Sequence, residues 1–187
     1  KRQGNPDQWA PDYPSTQLLQ QDIESGDSYV IEAMSDESAD NSDSTIVATF
    51  VLRGGIDPTY NTIYEGQWLN DAPYVTIHRV ASSQQVKGVF KAVMRFALRT
   101  YDNIRIDTHR DNLVMQQAIS KAGFKYCGVI HCWNGTDRLA YQFTSATVLQ
   151  WNDIDKKTAS VKTITTITYL KDKSPLHTPR HIMTDNV

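Results

Sequence analysis

A short polar turn between two apolar segments carries the clearest chemical signal in the sequence. Residues 74–81 are β-branched and mostly apolar, which predicts a buried strand, and from Val89 onward apolar residues recur at the spacing of a helix. Residues 82–87 between them are polar, and Gly88 ends the turn. The backbone N–H groups at the start of such a helix, together with the helix dipole, bind anions such as phosphate. The turn therefore predicts a site for a phosphorylated ligand.

Two histidines are candidates for proton transfer. His78 lies inside the predicted strand, where a neutral imidazole can serve as a general base or simply form a hydrogen bond in or beside the sheet. His109 follows Asp107 on the same face of the next predicted strand. That pair is compatible with a Ser-His-Asp site, but the sequence lacks the G-x-S-x-G turn typical of such a nucleophile. The two residues can equally orient each other without a catalytic role.

The composition argues against several classes of function. A net charge of −2 argues against a general nucleic-acid-binding protein, and no apolar run is long enough to cross a membrane. The two cysteines, Cys127 and Cys132, are too few for a disulfide framework, so we predict reduced thiols in a cytoplasmic protein. Together with His131 they lack the second ligand pair of a zinc site, and we therefore expect no metal.

Hydrophobic patterns predict the elements that position these residues. Strands are predicted at residues 28–34, 45–52, 74–81 and 103–108, and helices at 16–25 and 89–101. A third helix, capped by Asp111 or Asn112, is predicted to end at Ala122, and a final hairpin is predicted around Asn134 and Gly135. This order of strands and helices indicates an α/β fold with a mixed sheet. Residues 142–187 are rich in threonine and poor in large apolar residues, which predicts a C-terminal extension with one candidate strand at 161–170.

The order of these elements, the polar turn and the segment DNLVMQQAISKAGF at 111–124 together resemble a bacterial branch of the GNAT superfamily of acyl-CoA-dependent N-acyltransferases. The resemblance covers about residues 1–141, which we take as the GNAT-like domain. The strand and helix with which the family usually opens are missing, so either the sequence is a fragment or the C-terminal extension substitutes for them. The resemblance implies a central strand that splays from its neighbour, with the pantetheine of acetyl-CoA in the opening.

The resemblance also implies which residues bind acetyl-CoA. The family holds the pyrophosphate on a Q/R-x-x-G-x-G/A turn, which Gln85 and Gly88 match and in which Phe90 replaces a small residue. Many members have a tyrosine general acid seven residues after the asparagine that maps to Asn112, and this sequence has Ile119 there. The implied cofactor-binding residues are Val80, Ala81, Gln85, Val86, Lys87, Gly88, Val89, Phe90 and Asn112.

The activity implied by the resemblance is direct acetyl transfer from acetyl-CoA to an amine. At neutral pH only about 0.1% of a lysine-like amine is neutral, so a base is needed, and His78 is the expected one. The acceptor would be a small-molecule or peptide amine, with no metal, nucleic acid or membrane involved, and a homodimer remains an option. The resemblance implies that the loops with Trp9, Tyr13, Tyr64 and Trp68 face the acceptor side, where these aromatic residues would either line a pocket or cover the core. The alternative function is a non-catalytic acyl-CoA-binding or sensor protein.

Overall fold

The computed structural model describes residues 12–34, 44–133, 135–144 and 166–169, and these ranges form three α-helices and one seven-stranded sheet. None of the helices in these ranges is long and apolar enough to span a membrane. In chain order the elements are α1 (Thr16–Glu24), β1 (Ser28–Met34), β2 (Ser44–Gly54), a 3-10 turn (Pro58–Tyr60), β3 (Val75–Ser82), α2 (Val89–Ala97), β4 (Asn103–Thr108), α3 (Leu113–Lys121), β5 (Lys125–His131), β6 (Asp137–Thr144) and β7 (Thr166–Tyr169).

The predicted α/β fold with a mixed sheet is confirmed. The predicted strands at 28–34 and 103–108 have the observed bounds, whereas the helix predicted to reach residue 101 already ends at Ala97, because the chain then closes tight turns through Thr100 and Tyr101. β7 lies within the strand predicted at 161–170, whose other residues are outside the described ranges. The domain boundary predicted after residue 141 falls inside β6, which runs to Thr144.

The strand order is β5-β6-β4-β3-β2-β1-β7, and β3 with β4 is the parallel pair. These two strands pair only from Val75 to Ile77 with Ile104 to Ile106, although β3 continues to Ser82. Beyond His78 the register of β3 against β2 shifts, and Arg79 adopts a positive φ of 50°. Such a bulge bends the strand. The central strands therefore separate, as the resemblance implies.

The two faces of the sheet are covered by different parts of the chain. On one face α2 and α3 contribute Val93, Met94, Ala97 and Ile119 to the main hydrophobic core. On the other face the loop between β2 and β3 covers Ile130 and Ala140 with Tyr60 and Trp68. At the edge next to β1, β7 pairs antiparallel with residues 29–32.

A buried polar network anchors the loop that covers the second face. The Asn103 amide donates to Asn70 and to two loop carbonyls, and Gln142 donates to both asparagines while accepting from the backbone N–H of Leu69. Since buried amides are costly unless they are paired, this network favours one position of the loop. The guanidinium of Arg105 lies between the rings of Trp68 and Tyr74, at 4.0 and 3.9 Å. The loop can therefore hold its other residues in fixed places.

Candidate active site

A cavity of about 440 Å³ opens where β3 and β4 separate. Its walls come from both strands, the 3-10 turn, the two helices α1 and α3, and the β5–β6 hairpin. The lining residues are Tyr13, Leu18, Arg53, Asp57, Pro58, Thr59, Ile77, His78, Arg79, Val80, Ile106, Asp107, Thr108, Asn112, Met115, Cys132, Trp133 and Arg138. The charged and titratable side chains in this set make the cavity the chemical centre of the described part of the chain.

His78 lines the cavity and is paired with Asp57. Its Nε2 lies 3.0 Å from Oδ2 of Asp57, and both side chains are mostly buried. The other oxygen of Asp57 accepts from the backbone N–H and the hydroxyl of Thr59, at 2.9 and 2.7 Å. Burial by itself would raise the pKa of Asp57, but the hydrogen bonds from His78 and Thr59 and the charge of His78 lower it well below its usual range. Asp57 is thus ionised at neutral pH.

Thr76, two residues before His78 on β3, is buried within the sheet. Its hydroxyl has no hydrogen-bond partner among the described residues. The bulge in β3 follows His78, so the strand presents His78 and Val80 to the cavity on either side of it.

A second polar pair lies on the β4 side of the cavity. The hydroxyl of the fully buried Tyr60 donates to Oδ1 of Asp107 at 2.6 Å, and the Tyr60 ring meets the His78 ring edge-on at 6.0 Å. Burial and the charge of Asp107 raise the pKa of Tyr60 well above its usual range. The same two causes raise the pKa of Cys132 to about 11. Both groups are therefore neutral at neutral pH, and neither supplies a reactive anion.

The arginines on the α1 side are neutralised by carboxylates. Oδ1 of the fully buried Asp22 accepts from Arg53 at 2.6 Å and from Arg79 at 2.7 Å. Arg53 also binds Asp27, and Arg79 donates to the hydroxyl of Tyr13. These contacts attach α1 to the bulge of β3, so they fix one wall of the cavity.

The predicted phosphate turn is an exposed segment that ends at Gly88. Gly88 adopts the left-handed conformation, φ 81°, and α2 begins at Val89 without a side-chain cap. By contrast, Ser15 caps α1 and Asn112 caps α3. Since the first N–H groups of a helix have no partner within it, the start of α2 keeps the anion-binding character that the sequence predicts.

The other residues predicted to bind the cofactor fall into two groups. Around the cavity lie Val80 and Asn112, and the Asn112 side chain also accepts from the backbone N–H of Met115 at 3.1 Å. In and near the turn, exposed side chains alternate with ones directed to the core. Gln85 and Lys87 are exposed, Val86 and Phe90 pack against the main core, Val89 is buried, and Ala81 is half-buried beside Thr49. Phe90 also lies 6.4 Å from the Phe124 ring, so its bulk is taken up by the core.

The structure does not support Ile119 as a position for a general acid. Ile119 is fully buried in the main hydrophobic core and does not line the cavity. The residue that replaces the family's tyrosine is therefore a packing residue here.

We expect Ile119→Tyr to destabilise the fold without improving acetyl transfer. A larger ring in a filled core costs about 1–3 kcal/mol of unfolding free energy. Chemical denaturation measures this loss, with Ile119→Leu as the nearly isosteric control. A tenfold rise in kcat for Ile119→Tyr would contradict this placement.

The structure shows where the loop aromatic residues, His109 and the two cysteines lie. Tyr13 lines the cavity, whereas Trp68 stacks on Tyr60 and Tyr64 pairs through its backbone with Val129, and Trp9 lies outside the described residues. His109 lies 3.5 Å from Asp111 while Asp107 binds Tyr60, so no Ser-His-Asp relay forms. Within the described ranges, no three histidine, cysteine, aspartate or glutamate residues come together as a metal site. Both cysteines are free thiols.

Sequence reasoning missed most of the residues that surround His78. Asp57, Tyr60, Trp133 and Arg138 line or support the cavity from loops and from the hairpin. The one available signal was Asp57 before Pro58, an arrangement that caps a short helical turn and places the carboxylate in an ordered loop.

Comparison with solved structures identifies similar proteins. A GNAT-family acetyltransferase from Streptococcus agalactiae 2603 is 31% identical, with a TM-score of 0.60 over 72% of this chain and 75% of that one. Lower likenesses include the NatC complex bound to Gag peptide and CoA (15% identity, TM-score 0.48, 77% of this chain and 87% of that one). Another is Mycobacterium smegmatis RimJ in complex with CoA-disulfide (15%, 0.42, 63% and 57%).

Neither the family models nor the curated proteins give a match to the sequence. The identity to the streptococcal acetyltransferase nevertheless extends over three quarters of that protein, and the splayed central strands agree with the resemblance seen in the sequence. The chain belongs to the GNAT family of acetyltransferases.

Proposed function

We propose that this chain is an acetyl-CoA-dependent N-acetyltransferase that transfers an acetyl group directly to a small-molecule or peptide amine in the cytoplasm. The observation that carries the proposal is the cavity between β3 and β4, which holds a histidine paired with a carboxylate in a chain 31% identical to a GNAT acetyltransferase.

Acetyl-CoA fits the residues around the point where β3 and β4 separate. Its pyrophosphate would bind the uncapped start of α2, at the turn of residues 85–90. Its pantetheine would follow Val80 and Ala81 along the separated half of β3 and pass Asn112, so that the thioester reaches the cavity. Exposed Lys87 adds positive charge at the phosphate end.

Acetyl transfer then needs a group that accepts a proton from the amine. An amine enters as an ammonium ion and must lose a proton before its nitrogen can attack the thioester carbon. His78 takes that proton, directly or through a water, and the neutral amine then attacks, so that the C–N bond forms and the C–S bond breaks. The electron pair of the broken bond leaves with the CoA thiolate, and this thiolate needs little help because thiols have a pKa of about 8.5. The second proton of the amine becomes acidic once the C–N bond forms and passes through water to the thiolate, so the products are the amide and free CoA thiol.

Release of free thiol from acetyl-CoA in the presence of an amine panel tests the proposal. We expect thiol release to depend on one class of amine and the acetylated amine to appear in equal amount. The panel should contain small primary amines and peptides with free N-termini. Binding of acetyl-CoA without thiol release for any amine would favour the alternative, a non-catalytic acyl-CoA-binding or sensor protein.

A further inference from the structure

Among the described residues, three histidines lie next to an aspartate, but only one of these pairs is shielded from water. His78 and Asp57 are each 16% exposed, and both line the cavity. In the other two pairs Asp111 is 60% exposed, and His131 and Asp137 are 48% and 49% exposed. A carboxylate directs an imidazole strongly only where water does not compete, which singles out Asp57.

The geometry of this pair fixes which nitrogen of His78 carries hydrogen. An ionised carboxylate only accepts hydrogen bonds, so Nε2, 3.0 Å from Oδ2 of Asp57, has to be the donor. A neutral imidazole has a single N–H, and Nδ1 therefore keeps its lone pair. The two hydrogen bonds from Thr59 to the other carboxylate oxygen hold Asp57 in the orientation that this requires.

We propose that Asp57 is the positioning residue of the base: it holds His78 in the tautomer protonated at Nε2, so that Nδ1 is the atom that accepts the proton of the amine. This inference rests on the proposed acetyl transfer. The proton of the ammonium ion moves to Nδ1, directly or through a water, and the neutral amine then attacks as the C–N bond forms and the C–S bond breaks. The imidazolium then formed is stabilised by the adjacent carboxylate, and the thiolate carries away the electron pair of the broken bond.

Few other charges act on His78. The Tyr60 ring contacts the imidazole edge-on, and its hydroxyl is neutral and bound to Asp107. Arg53 and Arg79, on the neighbouring part of the sheet, share Asp22. The remaining ionisable groups in the cavity wall are Tyr13, Cys132 and Arg138. Asp57 is the only carboxylate bonded to the imidazole among the described residues.

Nitrogen NMR of the histidine rings tests the tautomer without any assay of activity. At a pH where His78 is neutral, the wild type should show the Nε2–H form of His78, and Asp57→Asn should lose that preference, since a carboxamide can also donate to Nε2. Asp137→Asn, which removes the exposed pair, should leave the His78 signals unchanged. An Nδ1–H tautomer in the wild type, or an unchanged tautomer in Asp57→Asn, would overturn the inference.

Kinetics test the consequence for the base. Asp57→Asn should lower kcat about 10- to 100-fold and leave the KM for acetyl-CoA unchanged, because the base stays in the cavity but loses its fixed tautomer. In a His78→Ala background the same substitution should have no further effect. An equal loss in both backgrounds would show that Asp57 supports only the fold.

The outcomes remain separable from those of the proposed function. If the wild type releases no thiol with any amine, the proposed function fails, while the NMR result still decides the role of Asp57. Asp57→Ser serves as a second variant, because serine can cap Thr59 but is too short to bond His78, and it should show the same loss of tautomer preference as Asp57→Asn. A serine variant with the wild-type tautomer would also overturn the inference.

Discussion

His78→Ala lowers kcat for acetyl transfer about 100-fold or more, while the affinity for acetyl-CoA changes little. The physical reason is that an amine is almost entirely protonated at neutral pH, and loss of a positioned general base typically costs about 10²–10⁴ in rate. His78 lies beside Val80 in the cavity but on the β3 arm before the bulge, away from the turn at residues 85–90. The measurement is kcat and acetyl-CoA affinity for both proteins with the best amine.

Two controls make the result specific. His131→Ala removes an exposed histidine of a similar aspartate pair and should retain the wild-type kcat. Raising the pH should partly restore His78→Ala, because the fraction of neutral amine in solution increases towards the pKa of the amine. Wild-type turnover in His78→Ala at neutral pH would remove His78 from the mechanism.

The parts of this molecule set by local pattern were predictable from the sequence. Polar and apolar residues alternate along most of the strand at 103–108, and the helix from Val89 has a full apolar stripe. Gly88 occupies the position where the chain needs a positive φ. His78 could be selected because its residue type and its place on the central strand together suggest a base. Each of these inferences depends on residues that are close in sequence, where side-chain period and turn chemistry determine the structure.

The surroundings of His78 depend on contacts that no local pattern encodes. Asp57 reaches His78 across 21 residues, and Tyr60 reaches Asp107 across 47. The positions of Asp57 and Tyr60 depend on the loop between β2 and β3. That loop is anchored by Gln142 and Asn103, which are distant from it in the sequence. The position that the family's tyrosine occupies, Ile119 in this chain, lies away from the cavity for a related reason. Seven residues after a helix start define a place on the helix, but the packing of that helix decides whether the side chain faces a cavity or a core.

Gly88→Asp weakens the binding of acetyl-CoA about 100-fold, whereas Gly88→Asn weakens it only a few-fold. Gly88 has a φ of 81° at the uncapped start of α2, where we propose that the pyrophosphate binds. Asparagine and aspartate tolerate this left-handed conformation better than other side chains and have the same size, so the pair differs mainly in charge. At an effective dielectric constant of about 20, two like charges about 5 Å apart repel by about 3 kcal/mol, which corresponds to a factor of about 100 in affinity.

Titration calorimetry of acetyl-CoA into the wild type and both variants measures the effect, and the difference between the two variants should shrink at high salt, because the charge lies on an exposed turn. Desulfo-analogues or free CoA should show the same ratio as acetyl-CoA, since the repulsion acts on the phosphates and not on the acyl group. Pantetheine, which lacks the pyrophosphate, should bind both variants equally. Equal acetyl-CoA affinity for Gly88→Asp and Gly88→Asn at low salt would place the pyrophosphate elsewhere, and the start of α2 would then be an ordinary exposed helix end.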